Sequence, residues 1–136
     1  MKIKFFTIIS TLFLLCSYGQ VVKCKTTGLA FRSKDETTDL WSKWSEFEAV
    51  ELLLIIDADN NRIKIFSKEE QVYDIIKTYE SIIDDDGDKI SKWLCVNEDG
   101  LKCFIRLVKL NSQEGRNQIY VDFEDLMFVY NIYRLD

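Results

Sequence analysis

The chain has 136 residues, a net charge of −5 and no histidine. Its length suits one domain with one hydrophobic core, and its acidic balance argues against binding nucleic acid or an anionic membrane surface by charge. Without histidine, Ser-His-Asp and Cys-His catalysis and histidine-based zinc sites are excluded. The sequence also lacks a glycine-rich phosphate loop and a G-x-S-x-G motif, so we expect neither enzymatic activity nor a cofactor.

Residues 1–19 have the features of a signal peptide. Two lysines give a positively charged start, and an apolar run then extends to Cys16. The small residues Ser17 and Gly19 occupy the −3 and −1 positions of a cleavage site before Gln20. The apolar run is shorter than the roughly 20 residues that a membrane-spanning helix needs, so the sequence predicts export rather than anchoring by a helix.

Cleavage leaves residues 20–136 as a single domain in a secreted or periplasmic location. The removed segment contains two lysines and no acid, so the net charge falls from −5 to −7. A lipoprotein anchored at Cys16 is the minor alternative, since Leu15 stands where a smaller residue normally precedes an acylated cysteine. No later stretch is apolar and long enough to span a membrane.

Short apolar runs separated by polar turns follow, a pattern that predicts a β meander. Residues 29–33 and 41–48 supply one or two initial strands. Residues 50–56 and 63–66 form a hairpin around an Asp/Asn-rich turn at 57–61.

The segment 68–83 fits two structures. Ser67 to Glu70 has the pattern of a helix capping box, and apolar residues follow it at helical spacing. Residues 71–75, however, also alternate as the next strand of a meander would. The pattern alone leaves the choice between helix and strand open.

Two further hairpins complete the chain, one from 90–97 and 101–110 and the other from 118–123 and 126–135. If every segment is a strand, the chain runs up and down about eight times, and such a sheet tends to close because open edges invite aggregation. A barrel of about eight strands can hold one small ligand. The sequence therefore predicts an all-β, lipocalin-like barrel, with an α+β fold as the alternative if 68–83 is a helix.

Cys95 and Cys103 are expected to form a disulfide across one of these hairpins. A three-residue loop that ends in a left-handed Gly100 places the two cysteines opposite each other. Export would expose them to oxidising conditions. The alternative is two buried free thiols, and Cys24 has no assigned partner.

The acidic turns are candidate metal ligands, because alternate turns of a meander lie at the same end of the sheet. Turns 57–61, 84–88 and 111–116 would then be neighbours, and calcium prefers carboxylate oxygens in flexible loops. The candidate ligands are Asp57, Asp59, Asp84, Asp86 and Asp88. Neither acidic turn matches an EF-hand, so hydrophilic hairpin turns are the simpler interpretation.

Three tryptophans, Trp41, Trp44 and Trp93, are candidates for lining an apolar ligand site. Trp41 and Trp44 are three residues apart and therefore do not share a face of a regular strand. Strand alternation would point one inward and the other outward, and packing in the core or as a barrel plug is the simpler interpretation of the pair.

Several segments are informative together: W-S-K-W (41–44), R-I-K-I-F-S-K-E-E-Q-V-Y-D-I (62–75), D-D-D-G-D (84–88), C-V-N-E-D-G-L-K-C (95–103), Q-I-Y-V-D-F (118–123) and V-Y-N-I-Y (129–133). They resemble a group of small secreted hypothetical proteins of Bacteroidota-type bacteria. The resemblance covers nearly all of the mature chain, implies export and favours strand over helix in 68–83. It implies no catalytic or binding residues.

These features predict a non-catalytic binding or interaction module for a small apolar ligand or a protein partner. One alternative is an inhibitor-type protein that uses its acidic turns against a basic partner. The other is a calcium-stabilised structural domain.

Overall fold

The computed structural model describes residues 21–135, so the predicted signal peptide and Cys16 lie outside the described residues. Ten strands and one short 3-10 helix make up this part of the chain. The strands are β1 (Val21–Ser33), β2 (Glu48–Ala49), β3 (Leu53–Asp57), β4 (Arg62–Phe66), β5 (Glu70–Thr78), β6 (Ile82–Ile83), β7 (Lys89–Asn97), β8 (Lys102–Leu110), β9 (Arg116–Asp122) and β10 (Leu126–Arg134), and the 3-10 helix is Asn111–Gln113.

Eight of the strands close into an antiparallel barrel. The order is β1, β3, β4, β5, β7, β8, β9 and β10, and β10 pairs back with β1. The two short strands lie off this ring, with β2 on β1 and β6 on β7. The predicted lipocalin-like barrel of about eight strands is confirmed. Closure gives each long strand two neighbours and so removes the open edges of the sheet.

The barrel interior is filled by the side chains of alternate strand residues. Leu54, Ile63, Ile105, Ile119 and Val121 have no exposed surface and belong to one apolar cluster. Cys24, Ile56, Ile65, Tyr73, Cys95, Cys103, Tyr130 and Ile132 complete its buried members. β-branched residues dominate the cluster because they pack well on a pleated surface.

Segment 68–83 contains strands and no helix. β5 spans Glu70–Thr78 and pairs with β4 and β7. Its pairing with β7 shifts register between Ile75 and Lys77, which marks a β-bulge at Ile76. The extra residue interrupts the period of two, and this explains why the apolar residues of the segment resemble a helical pattern.

The chain start departs most from the prediction. β1 has 13 residues rather than the five of 29–33; residues 21–25 pair with β3, and residues 24–33 pair with β10. The predicted strand at 41–48 is mostly irregular, and only Glu48–Ala49 is regular strand. This segment runs close beside β1, since a Cβ on Gly28 would lie 3.4 Å from Cδ1 of Phe47.

Up-and-down topology divides the connections between two ends of the barrel. The turns after β3, β6 and β8 lie at one end, here called the aspartate end, as the alternation of turns in a meander predicts. Contacts confirm this, because the Asn111 side chain donates a hydrogen bond to the Gly87 carbonyl at 3.0 Å. The loop after β1 and the turns after β4, β7 and β9 lie at the opposite end.

Candidate functional site

Cys95 and Cys103 face each other across β7 and β8, as predicted. No bond joins them, and the three cysteines of residues 21–135 are free, buried thiols. The Asn97 amide donates to the Leu101 carbonyl at 2.9 Å, and alternation along the ladder makes Cys95 and Cys103 a hydrogen-bonded pair. The Cβ–Cβ distance of directly opposed residues is about 4.5–5.5 Å, and hydrogen-bonded pairs lie at the wider end of that range. A disulfide needs a shorter Cβ–Cβ distance of roughly 3.5–4.5 Å.

These thiols are poorly suited to chemistry. Burial raises the pKa of Cys95 to about 12, with a smaller contribution from Asp74. Burial likewise raises the pKa of Cys103 to about 12, with smaller contributions from Cys95 and Asp122. The pKa of Cys24 is also raised by burial. Since the thiolate is the nucleophile and the metal ligand, none of the three is activated at neutral pH.

Trp41 and Trp44 both lie on the outer wall of the barrel. The Arg32 guanidinium carbon is 5.2 Å from the ring centroid of Trp41 and 4.7 Å from that of Trp44. The Trp44 ring also meets Tyr120 edge-on at 6.1 Å, and Tyr120 points outward because the flanking Ile119 is buried inside. The expectation that one tryptophan points inward is therefore wrong.

The reason is that the chain from Trp41 to Phe47 is not a regular strand. The Ser42 amide donates a hydrogen bond to the Ser33 carbonyl at 2.8 Å, and the Ser42 Oγ accepts a hydrogen bond from the Ser33 amide at 3.1 Å. In the same way, the Ser45 amide donates to the Phe31 carbonyl at 2.8 Å, and the Ser45 Oγ accepts from the Phe31 amide at 2.9 Å. The pattern repeats every three residues, the period of a polyproline II helix, so residues three apart share one side.

Trp93 is separate from this pair. It lies on β7 opposite Ile105 and packs against the interior cluster while half-buried. The structure therefore does not bring the three candidate tryptophans together, and Trp93 contributes to the core.

The acidic turn after β6 is partly assembled as expected. Ligand atoms of Asp84, Asp86 and Asp88 lie within 4.8 Å of one another. Asp84 Oδ1 accepts the amides of Asp86 and Asp88 at 3.0 and 2.9 Å. Buried Asp88 accepts the Ser112 amide and hydroxyl, both at 2.9 Å. These carboxylates thus brace the turn and tie it to the next one.

The other two candidate ligands do not join this group. Asp57 accepts the amide and the side-chain nitrogen of Asn60, at 3.3 and 2.8 Å, within its own turn. Asp59 lies exposed in the same turn. Sharing an end of the barrel is therefore not sufficient to bring all five aspartates to one point.

A cleft of about 580 Å³ opens at the opposite end of the barrel. Its apolar lining consists of Phe123, which packs against the core, and Leu101, which is 57% exposed. The Lys34 amide donates to the Asp125 carbonyl at 2.9 Å and so fixes the loop after β1 against the turn after β9. The charged lining comprises Lys34, Asp35, Glu36, Asp39, Lys102, Glu124 and Asp125.

The charged lining residues of the cleft, here called its rim, are mainly negative. Its five carboxylates outnumber its two lysines. The Asp35 carboxylate is used within the loop, where hydrogen bonds from the side chain and amide of Thr37 lower its pKa, and Asp39 lies 3.4 Å from Lys34. Glu36, Glu124 and Asp125 form no ion pair within residues 21–135.

Sequence reasoning missed this cleft, although the signal was present. The acidic dipeptides 35–36 and 124–125 lie in two loops that share an end of the meander. Because turns at the same end of a meander are neighbours, this spacing indicates a second acidic cluster opposite the aspartate end.

No helix within residues 21–135 combines the length and the apolar character needed to cross a bilayer. The chain matches no family model, no curated protein and no solved structure.

Proposed function

We propose that the protein is an exported, non-catalytic binding module whose cleft takes a partner that carries apolar side chains and positive charge. The observation that carries this proposal is the combination of two apolar lining residues, Leu101 and Phe123, with a negatively charged rim. Concave sites with apolar linings and a few polar groups are the usual form of binding sites. Opposite charge would speed association and select among partners.

The filled barrel interior favours recognition at this end over an apolar ligand held inside. The cluster members Leu54, Ile63 and Ile105 have no exposed surface, whereas Leu101 at the cleft is accessible. A protein or peptide partner therefore fits the proposal better than a lipocalin-type ligand.

The test uses a fluorescent hexapeptide of alternating lysine and leucine, with binding followed by anisotropy. Glu124→Lys should weaken binding about tenfold or more, since two units of rim charge are lost at about 0.7 kcal/mol each or more. Asp85→Lys is the matched control, because it makes the same charge change on an exposed residue at the aspartate end. Leu101→Ser should weaken binding with little change in its salt dependence. Equal binding by the Glu124→Lys and Asp85→Lys variants would refute the proposal.

Export belongs to the same proposal and rests on residues 1–19. The intact mass of the protein recovered outside the cytoplasm distinguishes its forms. Cleavage before Gln20 gives an unmodified mass, lipoprotein processing gives a lipidated Cys16, and an uncleaved chain contradicts export by this signal.

A calcium-stabilised structural domain is a second candidate, favoured by the proximity of Asp84, Asp86 and Asp88. Calcium prefers carboxylate oxygens, and a ligand that binds only the folded state raises its stability. Calcium should then raise the melting temperature of the wild-type protein but not of Asp86→Asn. An unchanged melting temperature with excess calcium would eliminate this candidate.

A further inference from the structure

Three cations on the outer wall of the barrel are held over aromatic rings rather than beside carboxylates. Arg32 lies over Trp41 and Trp44, as described above. Lys77 Nζ is 4.8 Å from the centroid of Tyr79, and Lys92 Nζ is 5.2 Å from Tyr79 and 4.2 Å from Phe104. None of the three forms an ion pair within residues 21–135, where five other ion pairs occur.

Strand register places these cations in two adjacent rows. The first row crosses the six strands from β5 to β1, and each of its residues pairs with the next. It consists of Lys77, Leu94, Phe104, Asp122, Met127 and Arg32. The second row contains Lys92, Arg106 and Tyr120. We call these two rows, with the rings of Tyr79, Trp41 and Trp44, the outer stripe.

The outer stripe is positively charged although the chain is acidic. Its single carboxylate, Asp122, accepts both Nε and Nη2 of Arg106, at 2.6 and 3.3 Å. That pair is internally neutral, so Arg32, Lys77 and Lys92 leave three positive charges unmatched on a protein of net charge −5. Charge segregation of this kind marks a surface that attracts an anionic partner.

The positions of the chain's own cations over the aromatic rings indicate which class of anion suits the outer stripe. Bases of a single-stranded nucleic acid need free ring faces for stacking, but the chain's own cations lie over Tyr79, Phe104 and Trp44. A cation above a ring still has N–H donors for an incoming carboxylate, and only the thioether sulfur of Met127 accepts from Arg32 among the described residues, at 3.4 and 3.3 Å. Charge-assisted hydrogen bonds to carboxylates are the contacts that these donors can still make.

We propose that the outer stripe binds an extended acidic segment of a partner polypeptide. From Lys77 to Arg32 the stripe makes five strand-to-strand steps, or about 24 Å at roughly 4.8 Å each. An extended peptide rises about 3.3 Å per residue, so a segment that follows these five steps around the outside of the closed barrel needs at least about seven residues. This surface shares no residue with the cleft and goes beyond the proposed function, so either can fail alone.

The test measures binding of a fluorescent eight-residue polyglutamate peptide to the full mature chain by anisotropy. Lys77→Gln combined with Lys92→Gln should weaken binding tenfold or more, and added salt should weaken binding to the wild type. Lys68→Gln combined with Lys109→Gln is the matched control, since both lysines are exposed and lie off the stripe. It removes the same charge and should change binding less than twofold. Lys77 is exposed and Lys92 is half-buried, so melting curves would verify that the stripe variant still folds.

Three outcomes would overturn the proposal. They are no binding of polyglutamate at low salt, equal weakening by the stripe and control variants, and tighter binding of a single-stranded oligonucleotide than of the acidic peptide. Glu124→Lys should leave polyglutamate binding no weaker, whereas the stripe variants should leave binding of the lysine-leucine peptide unchanged. The two probes therefore separate a failure of the cleft from a failure of the stripe.

Discussion

Replacement of Thr26 by valine should be costly although the two side chains have the same shape. Thr26 has no exposed surface, and its hydroxyl donates to the Val50 carbonyl at 2.7 Å and accepts the Leu52 amide at 2.8 Å. Valine would leave both backbone groups without this partner. Each unsatisfied group costs about 1–3 kcal/mol, and both bonds are only part-buried. We expect the free energy of unfolding to fall by about 2–4 kcal/mol.

Urea unfolding followed by tryptophan fluorescence measures this change. Thr27→Val is the matched control, because the Thr27 hydroxyl is exposed and its hydrogen bond to the Asn131 carbonyl is long, at 3.5 Å. This substitution should lower the free energy of unfolding by less than about 0.5 kcal/mol. Equal unfolding free energies for the two variants would refute the idea that a single buried hydroxyl secures the irregular chain at 50–52 to β1. The backbone bond from the Thr26 amide to the Leu52 carbonyl, at 2.9 Å, is retained in both variants.

Three further outcomes follow from buried polar and titratable groups. At pH 8 the thiols of Cys95 and Cys103 should react with Ellman's reagent only after denaturant is added, because burial holds their pKa at about 12; immediate labelling of the folded chain would contradict this. The free energy of unfolding should decline as pH rises from about 9 to 12, by at most about 1.4 kcal/mol per pH unit per thiol, since these two thiols ionise there only in the unfolded chain; replacing both with alanine should make the decline measured by urea unfolding shallower, and Tyr73, Tyr120 and Tyr130, whose pKa values are also raised by burial, account for the part that remains. Asp88→Ala should lower the free energy of unfolding by about 1–3 kcal/mol because Ser112 loses its acceptor, and the exposed Asp85→Ala should change it by less than about 0.5 kcal/mol.

The fold was predictable where local rules determine it. Gly100, with φ of 80°, closes the loop that sets β7 against β8, so the opposition of Cys95 and Cys103 followed from the turn chemistry alone. Barrel closure followed from the number of strands. The absence of a disulfide between them did not follow from the turn chemistry. It depends on whether the two cysteines form a hydrogen-bonded or a non-hydrogen-bonded pair of the antiparallel ladder.

The position of Trp41 and Trp44 was not predictable from a period of two. The same sequence, however, spaces Ser42 and Ser45 by three. Two polar residues at that interval beside two tryptophans at the same interval indicate a segment with a three-residue repeat. Tertiary hydrogen bonds to β1 impose this conformation, and a prediction based only on strand and helix periods does not include it.

The cleft depended on contacts between loops far apart in the sequence. Composition shows that the loops after β1 and β9 are acidic, and two long-range contacts bring them together: the pairing of Ser33 with Leu126, which belongs to barrel closure, and the bond from the Lys34 amide to the Asp125 carbonyl. The outer stripe could not be predicted from the sequence for a related reason. Its rows consist of single residues from six strands, and no linear motif contains them.

The filled interior explains why recognition is assigned to the cleft and the outer wall. A ligand site needs about 300 Å³ or more, and opening that volume within packed side chains such as Leu54 and Ile105 would cost about 7 kcal/mol at roughly 24 cal/mol per Å³. That cost is comparable with the whole stability of a small domain, about 5–15 kcal/mol. The cleft of about 580 Å³ is already open, and the outer stripe already holds its cations over rings. Because the cleft and the stripe carry opposite charges, one partner surface cannot satisfy both unless it carries an acidic segment and a basic one.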